Sequence, residues 1–214
     1  MLLFAALVAL AVQARDTLVH LDYGTVRGVT SFSGRSRTFH NIPYAAAPIG
    51  NLRFRPPQPP KPFRGIYDPS VAGNACMVST SLLINFKARP SEDCLNLNII
   101  SPPSAEAGDD LPVIVYVYGG GFTDGYANFP WIRGAKNIIE KEHNVIIVTV
   151  NYRVGAFGLM PSRELETEGS LNAGLHDLVA AFKWVRKNIA KFGGDPRSVT
   201  AMGLSSGGSI AIII

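Results

Sequence analysis

Apolar residues are arranged differently in the two halves of the chain. In the first half they form short or alternating sets. From residue 113 they form unbroken β-branched runs, separated by a stretch of helical spacing. Thr17 to Leu21 and Thr25 to Thr30 predict two short strands around the turn Asp22-Tyr23-Gly24, an N-terminal hairpin. Ile42 to Pro62 is proline-rich and predicts an extended, anchored loop, because proline fixes φ and has no N–H to give a ladder or helix. Leu95-Asn96-Leu97-Asn98-Ile99 alternates strictly and predicts a half-buried strand near a sheet edge. A polar turn follows over Pro102 to Asp110. Val113 to Tyr118 and Val145 to Val150 then predict strands covered on both faces. Between them Trp131 to His143 predicts a helix. Leu175, Leu178, Val179, Phe182, Val185 and Ile189 predict another, stopped at Phe192-Gly193-Gly194. Val199 to Met202 predicts a strand, and Ser205 opens the next helix. Alternating helices and buried strands predict an α/β fold on a parallel sheet, without an internal repeat or flexible linker.

Composition narrows the class. With 214 residues, 47% of them hydrophobic, the chain is long enough for one domain with a real core. The 17% charged residues lie below the usual ~25% and argue against extensive disorder. The net charge of +4 comes from scattered Lys and Arg, so it predicts a solvated surface and no nucleic-acid partner. Leu2 to Val12 is an apolar stretch of about a dozen residues, too short to span a bilayer. The small-x-small sequence Val12-Gln13-Ala14 follows before Arg15, so residues 1–14 are expected to be a cleaved signal peptide and the protein to be secreted; a buried helix or membrane anchor is the alternative. No other segment predicts a stable membrane span. The cysteines are Cys76 and Cys94, and an even count in a secreted chain favours a disulfide, with free core thiols as the alternative. No His, Cys and Asp spacing suits a metal ligand set, and no cofactor is expected.

The candidate chemistry lies near the end. Gly203-Leu204-Ser205-Ser206-Gly207 reads G-x-S-x-G, the turn that lifts a nucleophilic serine out of a strand and into a helix. Gly119-Gly120-Gly121-Phe122 directly follows the run Val113 to Tyr118. Fixed backbone N–H groups stabilise the negative oxygen of a tetrahedral intermediate, and glycine permits close approach, so Gly120, Gly121 and the N–H of Ser206 are the expected oxyanion donors. A phosphate-cradling loop is disfavoured because no Lys-Ser/Thr follows. A serine on such an elbow takes its base and orienting acid from later in the chain, and nine residues follow Ser205. His20, His40, His143 and His176 are all expected to be structural or surface residues. The sequence is therefore expected to be cut between nucleophile and base.

Taken in order, Asn41-Ile42-Pro43-Tyr44-Ala45, Leu52-Arg53-Phe54, Ser91-Glu92-Asp93-Cys94-Leu95, Tyr118 to Phe122, Asn151-Tyr152-Arg153-Val154-Gly155 and Phe192 to Pro196 resemble the type-B carboxylesterase and lipase family, which includes the cholinesterases. The resemblance implies an α/β-hydrolase fold: a mostly parallel twisted sheet with flanking helices and an N-terminal hairpin. Residues 15–214 would be the N-terminal part of the domain, truncated after the elbow, with the C-terminal half missing. It also implies a Cys76–Cys94 disulfide, Ser205 as nucleophile, and structural ion pairs Arg53–Glu92 and Arg153–Asp177. Breaking a buried pair of this kind costs ~3–5 kcal/mol. Leu204 stands where the family usually has Glu and Ser206 where it usually has Ala, and neither side chain is expected to supply chemistry. Asn96 also departs from the family, with packing as the expected consequence. The implied substrate is a small-molecule carboxylic ester. Cholinesterase-like members hold a quaternary ammonium on a Trp within the cysteine loop, where this chain has Phe86 and no Trp, against choline esters. A non-catalytic, cholinesterase-like adhesion protein is the alternative.

Overall fold

In the computed structural model, which describes residues 17–67, 73–78, 89–128, 131–142, 144–168 and 171–214, the hairpin is β1 (Thr17–Leu21) and β2 (Gly24–Thr30). The expected leader over 1–14, Phe86 and His143 lie outside these residues. β3 (Arg37–Pro43) follows, then a 3-10 turn at Gly50–Leu52 and the short β4 (Ile66–Tyr67). β5 (Asn96–Ser101), β6 (Leu111–Val117), α1 (Trp131–Glu142) and β7 (Ile146–Val150) come next. The short helices α2 (Gly155–Leu159) and α3 (Arg163–Glu168) precede α4 (Ala173–Asn188), β8 (Gly194–Gly203) and α5 (Ser206–Ile213).

Among the described residues the strands form one sheet in the order β1-β2-β3-β5-β7-β6-β8, with β4 on β2. The sheet is mixed. β7, β6 and β8 are parallel, whereas β1, β2, β3, β5 and β7 pair antiparallel in succession. The parallel part is the part built from unbroken apolar runs. Val113, Val115 and Val117 pack on one face with Leu178, Ala181 and Val185 of α4, while Ile132, Ala135 and Ile139 of α1 cover Ile100 and Ile147 on the other. Helices on both faces explain why these strands tolerate no alternation.

Three expectations change. The expected loop from Ile42 starts later: Ile42 and Pro43 end β3, which has a bulge between Phe39 and Ile42 where Asn41 takes φ 56°, a left-handed conformation that asparagine tolerates. β5 is interior and buried along its whole length, so its asparagines do not face solvent. Asn98 Nδ2 donates to Asn128 Oδ1 and Thr149 Oγ1, each at 3.0 Å. Asn96 Nδ2 donates to the Cys94 and Asn74 carbonyls, and its Oδ1 accepts from Asn151 Nδ2 at 3.1 Å. Asn96 therefore has a bonding role beyond packing: it ties the base of the cysteine loop to the end of β7. Finally, the buried face of α4 runs through Ala173, Asp177, Leu178, Ala181, Trp184 and Val185, whereas Val179 is exposed. Val179 and Phe182 instead line an open groove with Val199 and Ala201 of β8.

Cys76 and Cys94 are joined in a disulfide, both buried. No helix among the described residues is long and apolar enough to cross a membrane.

Candidate active site

β6 and β8 run side by side in parallel, with Val117 opposite Gly203, so the loops leaving both strands emerge together. On β8 the exit is a sharp turn. Leu204 N–H donates to the Val117 carbonyl, Gly207 N–H donates back to the Leu204 carbonyl, and α5 begins at Ser206. A Cβ on Gly203 would lie 2.3 Å from the Gly207 carbonyl, and one on Gly207 would lie 2.3 Å from the Val117 oxygen. The turn closes only because both positions are glycine. Between them Ser205 is exposed and adopts φ 54°, ψ −126°, a conformation that costs a non-glycine residue on the order of 1–3 kcal/mol.

The exit of β6 is the glycine loop. A Cβ on Gly119 would meet the Leu204 oxygen at 2.4 Å and Ser205 Cβ at 2.9 Å, so this backbone lies directly against the serine. Gly120 and Gly121 have φ of 138° and 62°, and Phe122 has φ 64°. The Gly120 carbonyl accepts from the N–H groups of Thr123 and Asp124, closing the loop on itself. Phe122 N–H donates to Ser206 Oγ at 3.4 Å. The four residues read from the sequence, Gly120, Gly121, Ser205 and Ser206, thus share one end of the sheet.

Beneath the loop lies a pair that the sequence does not single out. Tyr118 Oη donates to the Tyr152 carbonyl at 2.8 Å, and Tyr152 Oη donates to the Tyr118 carbonyl at 2.9 Å. The rings stack with centroids 4.5 Å apart. Burial pushes both phenols above their ordinary range. Next to Tyr152, Arg153 grips Asp177 through Nε at 2.8 Å, Nη2 at 2.7 Å and its backbone N–H at 3.0 Å, and also donates to the Arg55 carbonyl. Burial pushes the Asp177 carboxyl up, against the pull of this fork. Arg53 forms a two-pronged pair with Glu92, but its side chain is 44% exposed, so of the two expected pairs only Arg153–Asp177 is buried. The Arg53 hydrogen bond holds the Glu92 carboxyl below its usual range.

The histidines stand elsewhere. His20 lies on β1, bonded to Thr25 Oγ1. His40 lies on β3, four strand spacings from β8, or roughly 19 Å. His176 is exposed on α4 and lines a groove with Tyr23, Tyr44 and Pro56 to Pro60. Among the described residues no hydrogen bond joins a histidine to Ser205, and no group of three His, Cys, Asp or Glu is placed to hold a metal.

His40 has a different consequence. Burial, aided by the nearby Lys136 charge, pushes its imidazole down to about 4, and its Nδ1 has no hydrogen-bond partner. The unfolded chain, titrating near 6.5, therefore binds more protons than the native state between the two values. The contribution of His40 is fully present above pH ~6.5 and is lost as pH falls through 4, by about 3 kcal/mol in all. Thermal midpoints measured from pH 7.5 to 4.5 are expected to fall less in His40→Gln than in the parent; equal slopes would remove His40 as the cause.

Comparison with known proteins places this geometry. Residues 15–214 match the carboxylesterase family. The chain is 41% identical over 215 residues to the fumonisin B1 esterase of Sphingopyxis macrogoltabida, covering 97% of this chain and 38% of that one. It is 39% identical over 201 residues to the para-nitrobenzyl esterase of Bacillus subtilis, covering 92% and 40% respectively. A solved thermophilic para-nitrobenzyl esterase superposes with a TM-score of 0.82 at 40% identity, over 91% of this chain and 40% of that one. The chain thus spans about two-fifths of the length of these curated relatives. Its sheet and flanking helices are those of the α/β-hydrolase fold. On sequence and structure alike, the chain belongs to the carboxylesterase family.

Proposed function

We propose that residues 15–214 carry the nucleophile and oxyanion half of a secreted serine esterase that hydrolyses small-molecule carboxylic esters. The observation that carries the proposal is the exposed, strained Ser205 standing directly against the glycine loop. Ser205 Oγ attacks the ester carbonyl carbon while a histidine base takes its proton. The carbonyl π electrons move onto oxygen, and the resulting oxyanion is met by the N–H groups of Gly120, Gly121 and Ser206. Collapse of the tetrahedral intermediate expels the alcohol, which takes back the proton, and leaves an acyl group on Ser205. Water, deprotonated by the same base, releases the acid and regenerates the serine.

The base and its acid are assigned to chain outside the described residues, because among these no histidine is bonded to Ser205. Residues 1–214 span about two-fifths of the relatives' length, and without the later chain that supplies the base on such an elbow they are expected to leave esters essentially intact. A fluorophosphonate probe on the intact, esterase-active protein tests the nucleophile: peptide mapping is expected to place the adduct on Ser205. An adduct on another residue would overturn the assignment, and steady-state hydrolysis by residues 1–214 alone would overturn the placement of the base.

A further inference from the structure

We infer that the hydroxyl of Ser206 is a positioning group that pins the glycine loop to the nucleophile elbow. The inference rests on the proposed roles of Ser205 and the loop and adds to them a side-chain function separate from the Ser206 N–H. Ser206 is buried, 6% exposed, as the first residue of α5. Its Oγ reaches out of its own element and accepts from Phe122 N–H at 3.4 Å.

The family's usual Ala at this position has no hydroxyl, so this hold is a feature of the present chain. At the near end of the loop Tyr118 is locked to Tyr152 by three hydrogen bonds. Between there and Phe122 the chain has no side chains, and a Cβ placed on Gly121 would find nothing within 4 Å. Packing therefore does not restrain Gly121: its N–H shares a peptide with the Gly120 carbonyl, which Thr123 and Asp124 N–H hold, and its C-terminal peptide is the one left to a side chain. Phe122 contributes little by packing, being 40% exposed at φ 64°. Its carbonyl is held by Gly155 N–H at 2.7 Å, which leaves the peptide joining Gly121 to Phe122 to be oriented by Ser206. One residue thus supplies a donor through its backbone and, through its side chain, fixes the peptide next to the Gly121 donor. The elbow and the loop are held in register as one unit.

The test compares the intact protein with Ser206→Ala and Ser206→Thr. Amide hydrogen exchange at Phe122 is expected to speed up about tenfold in Ser206→Ala and to return towards the parent rate in Ser206→Thr, which keeps the hydroxyl. In parallel, kcat for a simple ester is expected to fall roughly tenfold in Ser206→Ala with KM little changed, as for a misplaced rather than deleted donor. Deleting a donor outright costs ~10²–10³. Unchanged protection of Phe122 in Ser206→Ala overturns the inference, as does faster exchange with unchanged kcat. Loss of protection in both variants assigns the effect to packing and also overturns it. Exchange needs neither substrate nor base, so a failure of the underlying assignment shows separately, as ester turnover retained in Ser205→Ala.

Discussion

Ser205→Ala is expected to lower ester turnover by as much as ~10⁶ while leaving KM and the thermal midpoint close to the parent values. The hydroxyl is the only group removed, and it makes none of the hydrogen bonds that shape the elbow: Leu204 to Val117, Gly207 to Leu204, and Gly208 and Ser209 to the Ser205 carbonyl are all backbone. Substrate binding and the oxyanion donors survive, so a residual rate ~10³–10⁴ above water is expected. Steady-state kcat on a chromogenic ester is the measurement. A variant within about tenfold of the parent rate would exclude Ser205 as the nucleophile.

The largest effect on stability is expected at Asp177. Replacing it with asparagine keeps the shape but removes the charge opposite Arg153, whose side chain is 4% exposed and gains its main partner from this carboxylate. An uncompensated buried guanidinium costs ~3–5 kcal/mol. For a domain of this size that corresponds to a fall in thermal midpoint of roughly 10 °C, read by calorimetry or circular dichroism. Glu92→Gln is the contrast: its partner Arg53 is 44% exposed, and loss of a solvent-screened pair is expected to leave the thermal midpoint almost unchanged. Equal shifts in the two variants would refute the distinction drawn from burial.

Much of this was legible because the residues concerned act locally. The runs Val113 to Tyr118 and Val145 to Val150 announce strands covered on both faces, and the elbow and glycine loop follow from short motifs at strand ends. What was hidden depends on partners distant in sequence. β3 contains Ile42 and Pro43, which read as the start of the proline loop, and over these residues it is a strand through its pairing with β5 more than fifty residues later. The alternating asparagines of β5 have the pattern of a wetted face, yet Asn74, Asn128 and Asn151 satisfy them in the interior. A period of two reports which residues share a face, not whether that face meets water or other amides. The role of Tyr152 carried no sequence signal of its own, since its hydroxyl bonds a carbonyl 34 residues away.

Two stacked phenols 4.5 Å apart, each tethered to the other's main chain, also make an optical marker. Coupled transitions of rings held at fixed mutual orientation give near-ultraviolet circular dichroism that a freely rotating tyrosine lacks. Because Tyr118 directly precedes Gly119, that signal reports whether the stem of the glycine loop is assembled. It does so without ester, inhibitor or completed catalytic triad, and so offers a way to follow maturation of the site before any activity exists to assay.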